Sequence, residues 1–372
     1  MDPGSDRLRI LFVRLSALGD ILFALPVFTR LRQAMPEAHI TWLVDDRAAS
    51  LLRGHPDIDE LLVFPRKAWS EAVRHPLKWS GLARDARAFL RRLRGGHDIA
   101  LDVQGNLKSG ILTYLSRATR RIGFARRSCR EGNWLFTNEH VDPPREKRHR
   151  LERDLSLLSA LDMEPSFCAP RFPIESENPA VDRLLKSAFP GRNGKAAGRP
   201  LIVLHPGTSH FGEFKRWPSD RYGATAHALA RSTPCDILVT WGPDEEDLAD
   251  AVVETSRGAA VKSPPTGSLR QLAALLARAD LLVAADTGPL HIAALLGIPV
   301  VALFGPKDPD IYAPVPVLAP VAVVRAGVPC SPCKLRKCDL RICMTEIEPE
   351  WVVAAALRLL EERIGAADSP AC

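Results

Sequence analysis

Short apolar runs bounded by charged residues recur along the chain, and stretches with helical spacing separate them. Residues 8–15 (LRILFVRL), 39–44 (HITWLV), 61–64 (LLVF) and 98–103 (DIALDV) read as buried strands. Between them, residues 21–35, 47–53 and 108–117 read as helices, and Pro26 marks a break or a helix start within the first. Residues 70–94 are amphipathic and basic, which suits two short helices around Pro76. Alternation of this kind predicts an α/β protein with parallel, doubly wound sheets. A turn-rich stretch over 175–200 combines a short helix at 180–188 with a Gly/Pro/Lys linker and marks a domain boundary. After it the pattern restarts, with strands at 201–205, 236–240, 281–285 and 300–304. Helices are expected there at 220–232, 245–257, 269–279, 290–296 and 348–363. The expected organisation is an N-terminal domain over 1–175, a linker over 176–199, a second domain over 200–347, and a terminal helix over 348–372 turning back toward the N-terminal domain. No solenoid period is present.

A length of 372 residues suits two domains, and 46% hydrophobic with 25% charged residues is ordinary globular composition. This excludes disorder, collagen-like repeats and coiled coil for the bulk of the chain. No apolar run reaches the ~18 residues of a membrane span. The opening MDPGSDRLRI lacks the basic segment of a signal peptide, so a cytoplasmic protein is expected. Charge changes the picture more. Residues 1–175 hold 29 basic and 22 acidic side chains, whereas residues 176–372 hold 21 and 22. The positive surplus sits in the N-terminal half, in Arg84, Arg87, Arg91, Arg92 and Arg94 and again in Arg117, Arg120, Arg121, Arg126, Arg127 and Arg130. Such a half attracts an anionic partner: nucleic acid, a phosphorylated glycolipid or an acidic membrane surface. With only three Tyr and no aromatic residues interleaved among the basic ones, the chain has no nucleic-acid stacking platform.

In open α/β sheets, ligands gather at the carboxyl ends of the strands, so the chemistry is sought in those loops. Asp20 is the lone carboxylate of RLSALGDILFALP, placed either to accept a proton from a substrate hydroxyl or to cap the following helix. Gly207 and Thr208 follow a strand and offer backbone N–H groups and a hydroxyl to a phosphate, with Lys215 nearby in sequence. Glu245 and Glu246 follow Trp241-Gly242-Pro243, positioned for a ribose diol or for matching the positive end of a helix. Asp286-Thr287-Gly288-Pro289 opens a helix at a strand end, with His291 one turn in, an arrangement suited to a diphosphate. Neither G-x-G-x-x-G after a strand nor G-x-x-x-x-G-K-[ST] occurs, which argues against a standard dinucleotide oxidoreductase and a P-loop NTPase. Cys330, Cys333, Cys338 and Cys343 form a C-x2-C-x4-C-x4-C run with the ligand chemistry of zinc or iron, or are free thiols.

The segments RLSALGDILFALPV, HPGTSHFGEFKRWP, WGPDEE and VAADTGPLHIAALLGIPVVALFGPKDP, in this order, resemble the family 9 glycosyltransferases. These are the bacterial heptosyltransferases of lipopolysaccharide inner-core assembly. The segments LLVFPRKAWSEAVRHPLKW and DIALDVQGNLKSGIL are most similar to the type I branch. The resemblance implies a GT-B fold, two facing Rossmann-like domains with a cleft, the first for acceptor and the second for nucleotide sugar. It implies ADP-L-glycero-β-D-manno-heptose as donor, the Kdo of lipid A as acceptor, peripheral contact with the inner membrane, inversion at the anomeric carbon, and no metal in catalysis. On it, Asp20 is the catalytic base and Lys215 meets the donor phosphates. Asp286, Thr287, Gly288 and His291 contact diphosphate and sugar. Gly207 and Thr208 form the phosphate-facing turn, Gly replacing the family's Thr at the first position. Glu245 or Glu246 holds the ribose. Arg66 and Lys67, with Arg120 or Arg121, face the acceptor's phosphates. The cysteine run departs from the type I branch. A protein-glycosylating relative carries cysteine-bound iron, so a protein acceptor is the alternative, and a nucleotide-sugar-binding module without turnover is a third reading.

Overall fold

The computed structural model describes residues 7–74, 79–146, 149–190, 199–333, 335 and 337–367. The chain divides into two compact units, Met1–Pro173 and Ile174–Cys372. The first is built on six parallel strands: β1 (Arg9–Val13), β2 (His39–Asp45), β3 (Glu60–Phe64), β4 (Ile99–Asp102), β5 (Arg120–Phe124) and β6 (Glu139–Val141), in the order β3-β2-β1-β4-β5-β6. The second has β7 (Leu201–His205), β8 (Asp236–Val239), β9 (Val261–Lys262), β10 (Leu281–Ala285), β11 (Val300–Leu303) and β12 (Val321–Val324), in the order β12-β11-β10-β7-β8-β9. Numbered within each unit, both sheets run 3-2-1-4-5-6, the Rossmann order. The order reverses between β1 and β4, and between β7 and β10. The loops leaving those four strands are therefore the natural ligand sites.

Strands covered on both faces need no alternation, and β7, β10 and β11 are buried at every position. In the first unit, Phe12 of β1, Trp42 of β2 and Phe28 of the helix Leu18–Ala34 meet with ring centroids 4.6–5.5 Å apart. That helix runs through Pro26 as one element rather than breaking there. The pair expected around Pro76 is present as Arg66–Val73 and Trp79–Leu93, Pro76 itself lying outside the described residues. No strand is expected at β5, β6, β9 or β12, although β12 (VAVV) is apolar throughout. They lie toward the sheet edges, and β5 opens with Arg120-Arg121.

The stretch expected as a linker carries the helix Asn178–Ala188, which packs against the helix Leu269–Leu276 of the second unit. Arg278 pairs with Asp182 at 3.1 Å across that contact. The Gly/Lys-rich remainder at 191–198 lies outside the described residues. The terminal helix Pro349–Ala367, expected to turn toward the N-terminal domain, buries Val352, Ala356, Leu359 and Leu360 in the core of the second unit. Arg363 ties it to Asp280 at 3.3 Å.

Candidate functional site

In the first unit, β1 delivers a loop that enters the helix Leu18–Ala34. Ala17 is the N-cap residue, so Asp20 sits in the first turn instead of capping it. Its carboxylate is 35% exposed and is met by Arg14 Nη2 at 3.0 Å and Arg150 Nε at 3.6 Å. Arg14 is wholly buried. Its guanidinium also donates to the Val103 carbonyl at 2.6 Å and lies 3.6 Å from Asp154. Arg153 completes the group, 3.0 Å from Asp154. Burial pushes the Asp20 carboxyl up, but Arg14, Arg150, the Ala17 N–H and Arg130 together hold it below the usual carboxylate range. Asp20 is therefore an ionised, partly exposed carboxylate, which is the protonation state a base requires. The loop after β4 clamps this arrangement. Gln104 Oε1 accepts from Leu15 N–H at 2.7 Å and Ser16 N–H at 3.2 Å. Asp102 anchors that loop by accepting from Gly105 N–H, Ser109 Oγ and Asn133 Nδ2 at 2.7–3.0 Å.

Arg66 follows β3 and lies 3.9 Å from Asp45, the last residue of β2. The Lys67 backbone N–H donates to Asp46 at 2.8 Å, and its side chain is exposed. Lys108 joins this edge with Nζ 4.2 Å above the Phe64 ring. Burial, then Arg66 and Arg47, lower its pKa. Arg14, Arg150, Arg47 and Lys108 were not legible in the sequence. Arginine and lysine abound in the chain, and only the sheet order brings these four to the same strand ends as Asp20 and Arg66. Arg120 and Arg121 are not part of that edge. They begin β5, and in a parallel sheet strand starts lie opposite strand ends. Arg120 is engaged bidentately by Glu139 at 2.7 and 2.8 Å, and Arg121 donates to the Phe136 and Ala118 carbonyls.

In the second unit, the loops after β7, β8 and β10 converge. Lys215 Nζ is 2.9 Å from Asp286 Oδ2 and also donates to the Asp286 carbonyl. His291 Nε2 is 3.4 Å from Asp286 Oδ1. Burial raises the Asp286 carboxyl, but His291 and Lys215 outweigh it and bring its pKa down to about 2. Thr287 is the N-cap residue of the helix Gly288–Leu295, and its buried hydroxyl has no partner among the described residues. A helix N-terminus with spare donors beside a lysine suits an anion.

The pair Glu245/Glu246 separates cleanly. Glu245 is buried and accepts from Thr208 N–H at 2.8 Å and Arg216 Nη2 at 2.9 Å. A Cβ on Gly207 would stand 2.1 Å from Glu245 Oε2, so the side chain of the family's Thr does not fit beside this carboxylate. Glu246 points elsewhere and pairs with Lys262 at 2.9 Å. Arg216, which ties Thr208 to Glu245, was not singled out by sequence.

Cys330, Cys333, Cys338 and Cys343, for which zinc or iron ligands and free thiols are the two readings, form no disulfide. Among the described residues, no group of three or more His, Cys, Asp or Glu side chains is gathered to hold a metal. Cys343 is turned into the core beside Met344. Burial pushes its thiol up, and the neighbouring Cys330, Cys333 and Cys338 push the same way.

Comparison with known proteins gives the family and the fold. The sequence pattern described as "Glycosyltransferase family 9 (heptosyltransferase)" matches residues 86–343. "Lipopolysaccharide heptosyltransferase 1" of Pseudomonas aeruginosa is 28% identical over 371 residues, covering 93% of this chain and 96% of the relative. The protein of the same name from Escherichia coli K12 is 28% identical, covering 82% and 90%. The structure "E. coli heptosyltransferase WaaC with ADP" superposes with a TM-score of 0.73 at 23% identity over 95% of this chain and 99% of its own.

Proposed function

The chain belongs to glycosyltransferase family 9, the heptosyltransferases, and on that premise we propose that it transfers L-glycero-D-manno-heptose from its ADP-activated form to the Kdo of lipid A in lipopolysaccharide core assembly. It is a glycosyltransferase of the GT-B fold, with two Rossmann-like units. What carries the finer reading is the pairing of chemistries on the two sheets, an ionised carboxylate after β1 and an anion-binding group after β7 and β10.

In this reading, the acceptor hydroxyl passes its proton to Asp20 as its oxygen attacks the anomeric carbon of the donor. The bond to the diphosphate breaks on the opposite face, so the anomeric centre inverts. Lys215 leaves Asp286 for the diphosphate, and the donors at Thr287–Gly288 take part of the charge that builds on the departing ADP. Glu245 accepts from the ribose hydroxyls. Cations supply that stabilisation, so the step needs no metal. Arg66 and Lys67, with Arg47 and Lys108, attract the acceptor's phosphates. A cytoplasmic enzyme working on a lipid-held acceptor at the inner membrane is consistent with the absence, among the described residues, of any helix long and apolar enough to cross a membrane.

The test is ADP release from ADP-heptose, with Kdo-lipid A and unmodified protein acceptors compared side by side. Heptose on the Kdo-lipid only is the expected result. Release driven by protein acceptors alone would overturn the lipid assignment, and no release with either acceptor would overturn the donor.

A further inference from the structure

The first unit carries an exposed apolar patch ringed by arginines, and the chemistry proposed above does not use it. On the helix Leu107–Leu115, Leu107, Ile111 and Tyr114 follow one another at helical spacing and are 43, 38 and 57% exposed. The helix turns its other face inward, burying Leu112 and Thr113. Beside it stands the turn Asn133–Phe136, whose Leu135 is 65% exposed, the highest value of the four. Helix and turn are joined closely because residue 110 is glycine. A Cβ there would stand 2.8 Å from Asn133 Nδ2 and 3.0 Å from the Phe136 ring. Tyr114 and Phe136 meet edge to face at 6.3 Å.

Arginine surrounds these groups. The Arg121 guanidinium lies 5.7 Å over the Tyr114 ring, and that of Arg126 lies 5.5 Å over Trp134. Arg117 and Arg126 are exposed, Arg127 is exposed and paired with Asp142, and Arg130 is the cation already counted beside Asp20. Residues 107–136 hold seven Lys and Arg side chains and Glu131; Glu139 pairs with Arg120 and Asp142 with Arg127, so four positive charges remain in surplus. Four large apolar side chains offered to solvent within such a field are unusual for a surface that stays in water. Amphipathic stacking of aromatic and aliphatic groups with arginine suits the headgroup zone of a bilayer.

We propose that this face, formed by Leu107, Ile111, Tyr114 and Leu135 with their surrounding arginines, docks the protein on an anionic lipid surface. The apolar side chains enter the acyl boundary and the arginines meet the lipid phosphates. Docking rests on the lipid-acceptor reading for its purpose, but not for its evidence.

Co-sedimentation of the full chain tests it, using vesicles of phosphatidylethanolamine and phosphatidylglycerol without acceptor, against vesicles of phosphatidylcholine alone. The wild type is expected with the anionic vesicles only, and less so as salt rises. Ile111→Ser with Leu135→Ser, both on exposed positions, is expected to lower the partition coefficient by roughly tenfold. The double variant should unfold at the same temperature and keep its turnover on detergent-dispersed acceptor. Arg117→Gln with Arg126→Gln should weaken binding at low salt and flatten the salt dependence. The proposal falls if the wild type stays in the supernatant with anionic vesicles, or if the double serine variant sediments as well as the wild type. It falls equally if the patch drives self-association without vesicle binding, seen as a concentration-dependent mass in light scattering. Vesicle binding without turnover on any acceptor would uphold the docking face while removing the heptosyl reading.

Discussion

Replacing Arg14 by methionine should move the acid limb of the pH–rate profile. Arg14 is fully buried, and its Nη2 stands 3.0 Å from the Asp20 carboxylate. At that distance, with an effective dielectric constant near 20, the attraction is about 5 kcal/mol. Asp20 is 35% exposed, so water screens part of this, and Arg150 remains 3.6 Å away in the variant. A net loss of roughly 1.5–2.5 kcal/mol is left, or about 1–2 pH units. The sign follows from the direction of the shift. Asp20 is held below its ordinary value, so losing a cation raises it, and the activity lost on acidification disappears at higher pH. The assay is initial-rate ADP release over about pH 4.5–8, read as kcat/KM because that ratio reports the free enzyme. Stability must be followed too, since breaking a buried ion pair costs about 3–5 kcal/mol. Arg14→Lys keeps the charge and should keep the limb near its wild-type position. A folded Arg14→Met enzyme whose limb coincides with that of the wild type would refute the idea that Arg14 sets the state of Asp20.

Asp20→Asn should lower turnover by about 10²–10⁴-fold while ADP-heptose still binds, measured by calorimetry beside single-turnover rates. Lys215→Ala should weaken ADP binding by about tenfold or more and slow transfer, because the proposed diphosphate contact loses its cation; unchanged affinity and rate would exclude that role. Glu245→Gln should raise the dissociation constant of ADP while Glu246→Gln leaves it alone, and Gly207→Ala should act like the former because its Cβ strikes the same carboxylate. Acid should also weaken the fold through His205. Burial, opposed only by its contact with Thr240, brings its pKa down to about 4. Below the ordinary value near 6.5, the unfolded chain binds a proton that the native one refuses, so stability falls between about pH 6.5 and 4 by roughly 3 kcal/mol. His205→Asn should flatten that slope in urea titrations, and an unaltered slope would assign it to other groups.

Periodicity and composition were enough for the two α/β units and for the central strands of each sheet. Those strands are apolar throughout because helices cover both faces, and that signal is local. The loops holding Asp20, Lys215, Glu245 and Asp286 were legible for the same reason, since each follows such a strand. Strands β5, β6, β9 and β12 were not. β6 and β9 are edge strands with little apolar sequence, β12 is an apolar edge strand that follows a proline-rich turn, and β5, between β4 and β6, opens with Arg120-Arg121, which read as acceptor-facing cations and not as the start of a strand.

Tertiary structure alone decided the partners. Arg14 becomes the companion of Asp20, and Arg150 arrives from 130 residues further along the chain, because helix packing closes that loop. The choice of Glu245 over Glu246 turns on a single residue of helical phase, which turns one carboxylate toward Gly207 and the other toward Lys262. Cysteine spacing left metal ligands and free thiols both open, and only packing shows Cys343 turned into the core beside Met344. Sequence specifies which side chains are available and which segments are strands. Which charges end up a hydrogen bond apart is set by sheet order and packing, which depend on the whole chain at once.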